Sequence, residues 1–132
     1  MTYAPVPRVL VVDDYLENAR VLAYLLRIFG FDTFLAHDGE SAIAQAAEVV
    51  PDAVLLDLSL PDMSGYEVAR RLRASHATRD TLIVAITGFT PDEAPHPDDV
   101  NPFDHHLVKP VDPSILRDLL RNAFSEAAAP AP

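Results

Sequence analysis

The period of the hydrophobic positions changes repeatedly along this chain, and each change marks an element. Residues 8–12 (RVLVV) form a short, unbroken, β-branched apolar run, the pattern of a strand buried on both faces. Asp13 and Asp14 end it abruptly. Over residues 16–29, Leu16, Val21, Leu22, Leu25, Leu26 and Phe29 recur at helical spacing, and Gly30 supplies the stop. Residues 33–36 read as a second strand, and residues 41–50 as an Ala-rich amphipathic helix with Pro51 just past its end. Residues 53–56 (AVLL) are a third buried strand, closed by Asp57. Ser64 and Glu67 stand in the S-x-x-E arrangement of a capping box, which predicts a helix to about Arg73. Residues 82–86 (LIVAI) form a fourth strand closed by Thr87, and residues 106–108 a short fifth closed by Lys109. Asp112 and Pro113 fit the N-cap and first position of a last helix through about Phe124. Strands alternating with helices in this way predict an α/β chain, a doubly wound five-stranded parallel sheet covered on both sides.

One stretch breaks the rhythm. Thr90-Pro91-Asp92-Glu93 has the features of a helix start, but Pro95, Pro97 and Pro102 follow it. An interior proline removes a hydrogen bond and costs about 3 kcal/mol. The fourth helix expected over residues 91–102 is therefore short or absent.

Composition narrows the class. A chain of 132 residues with 49% hydrophobic and 23% charged residues is expected to form one domain with one real core. Residues 1–7 read as an N-terminal arm, 8–125 as the domain, and 126–132 (EAAAPAP) as a flexible tail. There is no cysteine, so a metal would have to be held by oxygen or imidazole. A formal net charge of −10 argues against direct binding to nucleic acid, whose phosphates require a basic surface. No signal peptide is read at the start, and no apolar run approaches the ~20 residues needed to span a bilayer. The expectation is a cytoplasmic domain with no membrane insertion.

The candidate chemistry lies where the strands end. In an open parallel sheet, ligands bind beyond the carboxyl ends of the strands. Asp13, Asp14, Asp57, Thr87 and Lys109 come from four different strands and converge on that edge. Three carboxylates brought together repel one another. A hard divalent cation would compensate, and Mg²⁺ typically takes one or two carboxylates, a carbonyl and waters. The hydroxyl of Thr87 and the ammonium of Lys109 suit the equatorial oxygens of a phosphoryl group. Lys109 is the sole lysine beside nine arginines. A point charge on a flexible stem can reach across a crowded site where a planar guanidinium could not. A cis peptide before Pro110 would aim it there. Taken singly, each residue has a plain reading: a solvated Asp-Asp loop, a turn cap, a surface charge. Taken together, they point to one site.

VVDD, LLDLSLPDMSGYE, AITG and HLVKP, in that order and spacing, resemble the receiver domain of bacterial two-component response regulators over roughly residues 8–125. FDHHLVKPVDP is similar to receivers attached to hybrid sensor kinases. The resemblance implies a flavodoxin-like fold with strand order 2-1-3-4-5. It implies that Asp57 is the phosphoacceptor, taking a phosphoryl group from the phosphohistidine of a sensor histidine kinase or phosphotransfer protein. Asp14, Asp57 and the backbone carbonyl of Ser59 would bind Mg²⁺ directly, Asp13 would act through water, and Thr87 and Lys109 would hold the phosphoryl oxygens. Output would run through protein–protein contact, with a second copy of the chain among the candidate partners. The domain would be a signalling module that catalyses only its own phosphorylation and dephosphorylation.

Departures from the family pattern qualify the output. His106 occupies the place of the usual switching aromatic, Pro102 replaces a customary glycine, and the proline-rich stretch implies signalling by a different face or by ordering on a partner. Phe89 is expected to overhang the site and lengthen the phosphorylated state. The alternative is a pseudo-receiver scaffold that binds partners without a phosphorylation switch. An aspartate-nucleophile phosphatase of the haloacid dehalogenase type needs a second Asp where this chain has Ser59. An FMN binder needs a Ser/Thr/Gly-rich loop after the first strand. His105 and His106, adjacent on a strand, point to opposite faces and cannot easily share an ion. Arg70, Arg71 and Arg73 read as a solvated helix face.

Overall fold

The computed structural model describes residues 6–88 and 101–128. In chain order the elements are β1 (Arg8–Val12), α1 (Leu16–Ile28), β2 (Asp32–Ala36), α2 (Gly39–Val49), β3 (Ala53–Asp57), α3 (Gly65–Ala74), β4 (Leu82–Thr87), β5 (His105–Val108) and α4 (Pro113–Ala128). All strand pairings are parallel, and the order across the sheet is β2-β1-β3-β4-β5, as expected of a flavodoxin-like fold. The helix expected over residues 91–102 falls mostly on residues 89–100, outside the described residues.

Strand alternation divides the core in two. Leu10, Val12, Val54, Leu56, Ile83 and Ala85 face α2 and α3, meeting Ala42, Ala46, Val68, Ala69 and Leu72. Val9, Val11, Ala53, Leu55, Val84 and Ile86 face α1 and α4, meeting Ala19, Leu26, Leu116 and Leu120. Both faces of the central strands are thus buried, which is why they read as unbroken apolar runs rather than alternating ones. Each fully buried Leu or Ile contributes about 1.5–3 kcal/mol.

The helix ends follow local chemistry. Gly30, at φ +104°, lets Phe31 N–H reach back to the carbonyl of Leu26 and close α1, as its place in the sequence predicts. α2 begins at Gly39, earlier than the expected 41, because Asp38 is its N-cap and accepts from Ser41 N–H at 2.7 Å. Ser64 caps α3 through Glu67 N–H, whereas the Glu67 carboxylate pairs with Arg70 and Arg71. The forward half of the predicted box is therefore made, and its acid serves the helix surface. Asp112 accepts from Ser114 N–H at 2.8 Å and starts α4, which continues past Phe124 to Ala128 through good helix formers.

Arg73 is not part of a solvated face. Its guanidinium donates to the carbonyls of Pro102, Arg79 and Thr81 and to the carboxylate of Asp104, at 3.1, 2.8, 2.6 and 2.7 Å. Asp104 also accepts from Ile83 N–H at 2.8 Å. The chain entering β4 and β5 leaves carbonyls without ladder partners, and one arginine supplies their donors. Arg70 and Arg71 remain exposed, as expected.

Candidate functional site at the carboxyl edge of the sheet

The strand register aligns the polar ends. Val12 stands opposite Leu56, Asp57 opposite Ile86, and Thr87 opposite Val108, so Asp13, Asp57, Thr87 and Lys109 emerge at one edge. Asp57 ends a strand buried along its whole length and is only 4% exposed. Its Oδ1 accepts from Ser59 N–H at 2.9 Å, and its Oδ2 from Lys109 Nζ at 3.1 Å. Lys109 also lies 4.0 Å from Asp13 Oδ2. The Lys109 N–H donates to the carbonyl of Thr87 at 2.7 Å, which ties the lysine to the end of β4. The Lys109-Pro110 peptide is cis.

Asp13, Asp14 and Asp57 each bring a carboxylate oxygen within 4.8 Å of the others. Burial pushes the Asp13 carboxyl above its usual range, helped by Asp57 and Asp14, while Tyr15 N–H and Lys109 pull the other way. Asp13 Oδ1 accepts from that Tyr15 N–H at 2.9 Å, so the same carboxylate orients the start of α1. Three carboxylates facing one ammonium leave an excess of negative charge in a half-buried place. An all-oxygen donor set of this kind fits a hard divalent cation such as Mg²⁺.

The structure brings together the acidic triad, Lys109 and the Thr87 backbone. Thr87 itself is 2% exposed at the last position of β4. Ser59 reaches the site through its backbone and pairs with Ser64 across the loop after β3. Phe89 lies outside the described residues. His105 is exposed, while His106 is half-buried with its ring against Phe103 at 5.9 Å, and Phe103 in turn meets Tyr66 at 5.1 Å.

Two features escaped the sequence reading. A cleft of about 550 Å³ opens beside Asp57 and Lys109, walled by Val21, Leu22 and Leu25 of α1 and by Pro110 and Val111. Val21 shares the helical spacing of the apolar residues of α1, yet it is 61% exposed. Gly65 also packs so tightly that a Cβ there would lie 2.8 Å from the Asp57 carbonyl oxygen. The only sequence signal for it is a glycine at the start of a helix.

Residues 9–121 match the family described as the response regulator receiver domain. The virulence sensor protein BvgS of Bordetella pertussis is 37% identical over 95% of this chain, and the DNA-binding response regulator MtrA of Mycolicibacterium paratuberculosis is 45% identical over 61% of it. The chain spans only 10% of BvgS and 36% of MtrA. Among solved structures, a sensor protein from Polaromonas sp. JS666 superposes with a TM-score of 0.82 at 32% identity, covering 94% of this chain and all (100%) of that one. A CheY-like response regulator receiver domain from Methylobacillus flagellatus gives 0.78 at 30% identity, over 89% of this chain and 98% of that one. No helix among the described residues is long and apolar enough to cross a membrane. With the fold, the edge of aspartates and the family match in agreement, the chain belongs to the response regulator receiver domains of two-component systems.

Proposed function

We propose that Asp57 accepts a phosphoryl group from a phosphohistidine of a sensor histidine kinase or phosphotransfer protein, and that the domain then signals through altered protein–protein contacts. The observation that carries this reading is the setting of Asp57. It is 4% exposed, paired with Lys109 at 3.1 Å, and has two further carboxylates within 4.8 Å.

A carboxylate oxygen of Asp57 attacks phosphorus while the P–N bond of the donor breaks. The electron pair leaves with the imidazole, which then takes a proton, and the product is an acyl phosphate. Ser59 N–H holds the Asp57 carboxylate in one rotamer before the attack. Lys109, already at that carboxylate, pairs with the incoming phosphoryl oxygens, and Thr87 supplies a hydroxyl at the neighbouring strand end. Asp14, Asp57 and the Ser59 carbonyl would hold Mg²⁺ directly, with Asp13 acting through water. The bound ion would neutralise charge that otherwise repels the phosphoryl group.

Phosphoramidate, whose P–N bond matches that of phosphohistidine, tests this reading. ³¹P NMR is expected to show an acyl phosphate in the presence of Mg²⁺, with no signal in EDTA and slower formation in Lys109→Ala. Equal labelling in EDTA, or labelling at another residue, would contradict the assignment. No label where a second receiver is labelled would favour a scaffold without a phosphorylation switch.

A further inference from the structure

We propose that Asp62 is a positioning residue for the metal-binding side of this site, acting through the loop that carries Ser59. The inference rests on the receiver reading above.

The loop after β3 leaves from Asp57 and returns at Gly65 to start α3. Its two ends are pinned by backbone: Leu58 N–H to the carbonyl of Ile86 at 3.2 Å, Gly65 N–H to the carbonyl of Leu58 at 3.1 Å, and Ser59 paired with Ser64. The far part of the loop is held from outside. Asp62 Oδ1 accepts from Gly39 N–H at 2.7 Å and Oδ2 from Glu40 N–H at 2.9 Å, both in the first turn of α2. These bonds hold the Asp62 carboxyl below its usual range. Met63, next in the chain, sits against Gly39 so closely that a Cβ there would land on its side chain.

α2 already has its own cap. Asp38 accepts from Ser41 N–H, and Ser41 reciprocates through its hydroxyl to Asp38 N–H. The helix is also fixed to the sheet by Ala42 and Ala46, both fully buried. A second carboxylate, arriving from a loop more than twenty residues away in the chain, therefore does more for the loop than for the helix. α2 acts as a fixed post, and Asp62 is the tether that sets where Ser59 lies relative to Asp57. Ser59 would offer a backbone carbonyl to the metal, so its position matters to a few tenths of an ångström. Removing a group that orients a metal ligand typically weakens affinity about 10–100-fold.

Asp38→Ala is the informative control, because it removes a cap from the same helix end and leaves the loop tether intact. Mg²⁺ affinity is measured by calorimetry on the whole chain in wild type, Asp38→Ala, Asp62→Ala and Asp62→Asn. Asp62→Ala is expected to weaken Mg²⁺ binding roughly tenfold or more. Asp62→Asn, which keeps one acceptor oxygen, falls between, and Asp38→Ala binds as wild type despite a lower melting temperature. Without metal, amide hydrogen exchange in residues 58–64 is expected to quicken in Asp62→Ala and not in Asp38→Ala. Equal Mg²⁺ affinity in Asp62→Ala and wild type would overturn the inference, as would equal losses in both alanine variants. A wild type that binds no Mg²⁺ would overturn the proposed phosphoacceptor role and this inference together.

Discussion

Replacing Gly65 with alanine sets two physical effects against each other, and the structure decides the sign. Gly65 is the first residue of α3, and Gly→Ala in a helix interior gains up to about 1 kcal/mol, less at the first position. The added Cβ, however, would lie 2.8 Å from the Asp57 carbonyl oxygen, 2.8 Å from Leu58 Cα and 2.8 Å from Leu58 Cδ2. Two of those three atoms are backbone. The Asp57 oxygen ends a strand paired to β4, and Leu58 just beyond it is held by its N–H to the Ile86 carbonyl, so neither can rotate away as a side chain would. Overpacking of this kind costs about 1–3 kcal/mol. The net expectation for Gly65→Ala is a loss of about 1–2 kcal/mol, opposite to the helix-propensity trend. Gly39→Ala is the contrast, because its Cβ would meet the side chain of Met63, which is flexible. Urea unfolding with a common m-value measures both. The Asp57 amide resonance should move further in Gly65→Ala than in Gly39→Ala, since the collision is with its own carbonyl. A Gly65→Ala variant as stable as wild type would refute the close-packing argument.

Arg73→Ala should cost about 2–3 kcal/mol in chemical unfolding, at about 1 kcal/mol for each carbonyl left without its donor, whereas Arg71→Ala should change stability by less than about 0.5 kcal/mol. Asp13→Asn should raise the melting temperature of the metal-free protein while weakening Mg²⁺ binding. Its folded carboxyl titrates above 3.8, so the ionised form carries a penalty that is absent below that pH and full above the folded pKa. A lower melting temperature for Asp13→Asn would show that the attraction of its charge to Tyr15 N–H and Lys109 outweighs the cost of burying it. Asp38 and Asp62 have the opposite sign, because the first-turn N–H groups of α2 and the Ser41 hydroxyl lower their pKa values. Their stabilisation is present above about 3.8 and is lost as pH falls through the lower folded values. The stability–pH profile of an Asp38→Asn/Asp62→Asn double variant should therefore be flatter in that acid range.

The strands were legible because burial on both faces makes them continuous apolar runs that stop at polar residues. Those same stops form the candidate site: Asp13, Asp14, Asp57, Thr87 and Lys109 are visible in sequence because a parallel sheet delivers its strand ends to one edge. The start of α2 was less legible, since Asp38 and Ser41 cap each other in a D-x-x-S arrangement rather than the S-x-x-E one. Arg73 looked like one of three similar arginines, and only the three-dimensional neighbourhood of Pro102 and Thr81 separates it from Arg70 and Arg71. The Asp62 tether joins segments distant in the chain, and no local pattern of spacing encodes such a pairing. Val21 has apolar spacing but stands at the rim of a cleft, where the helical period alone does not tell core from edge.

The most direct test of the central claim is intact mass spectrometry after incubation with a small phosphoryl donor and Mg²⁺, comparing wild type with Asp57→Asn. A base-labile gain of one phosphoryl group in wild type, absent from the variant, is the predicted result. The same gain in Asp57→Asn, or none in wild type under conditions that label another receiver, would contradict it.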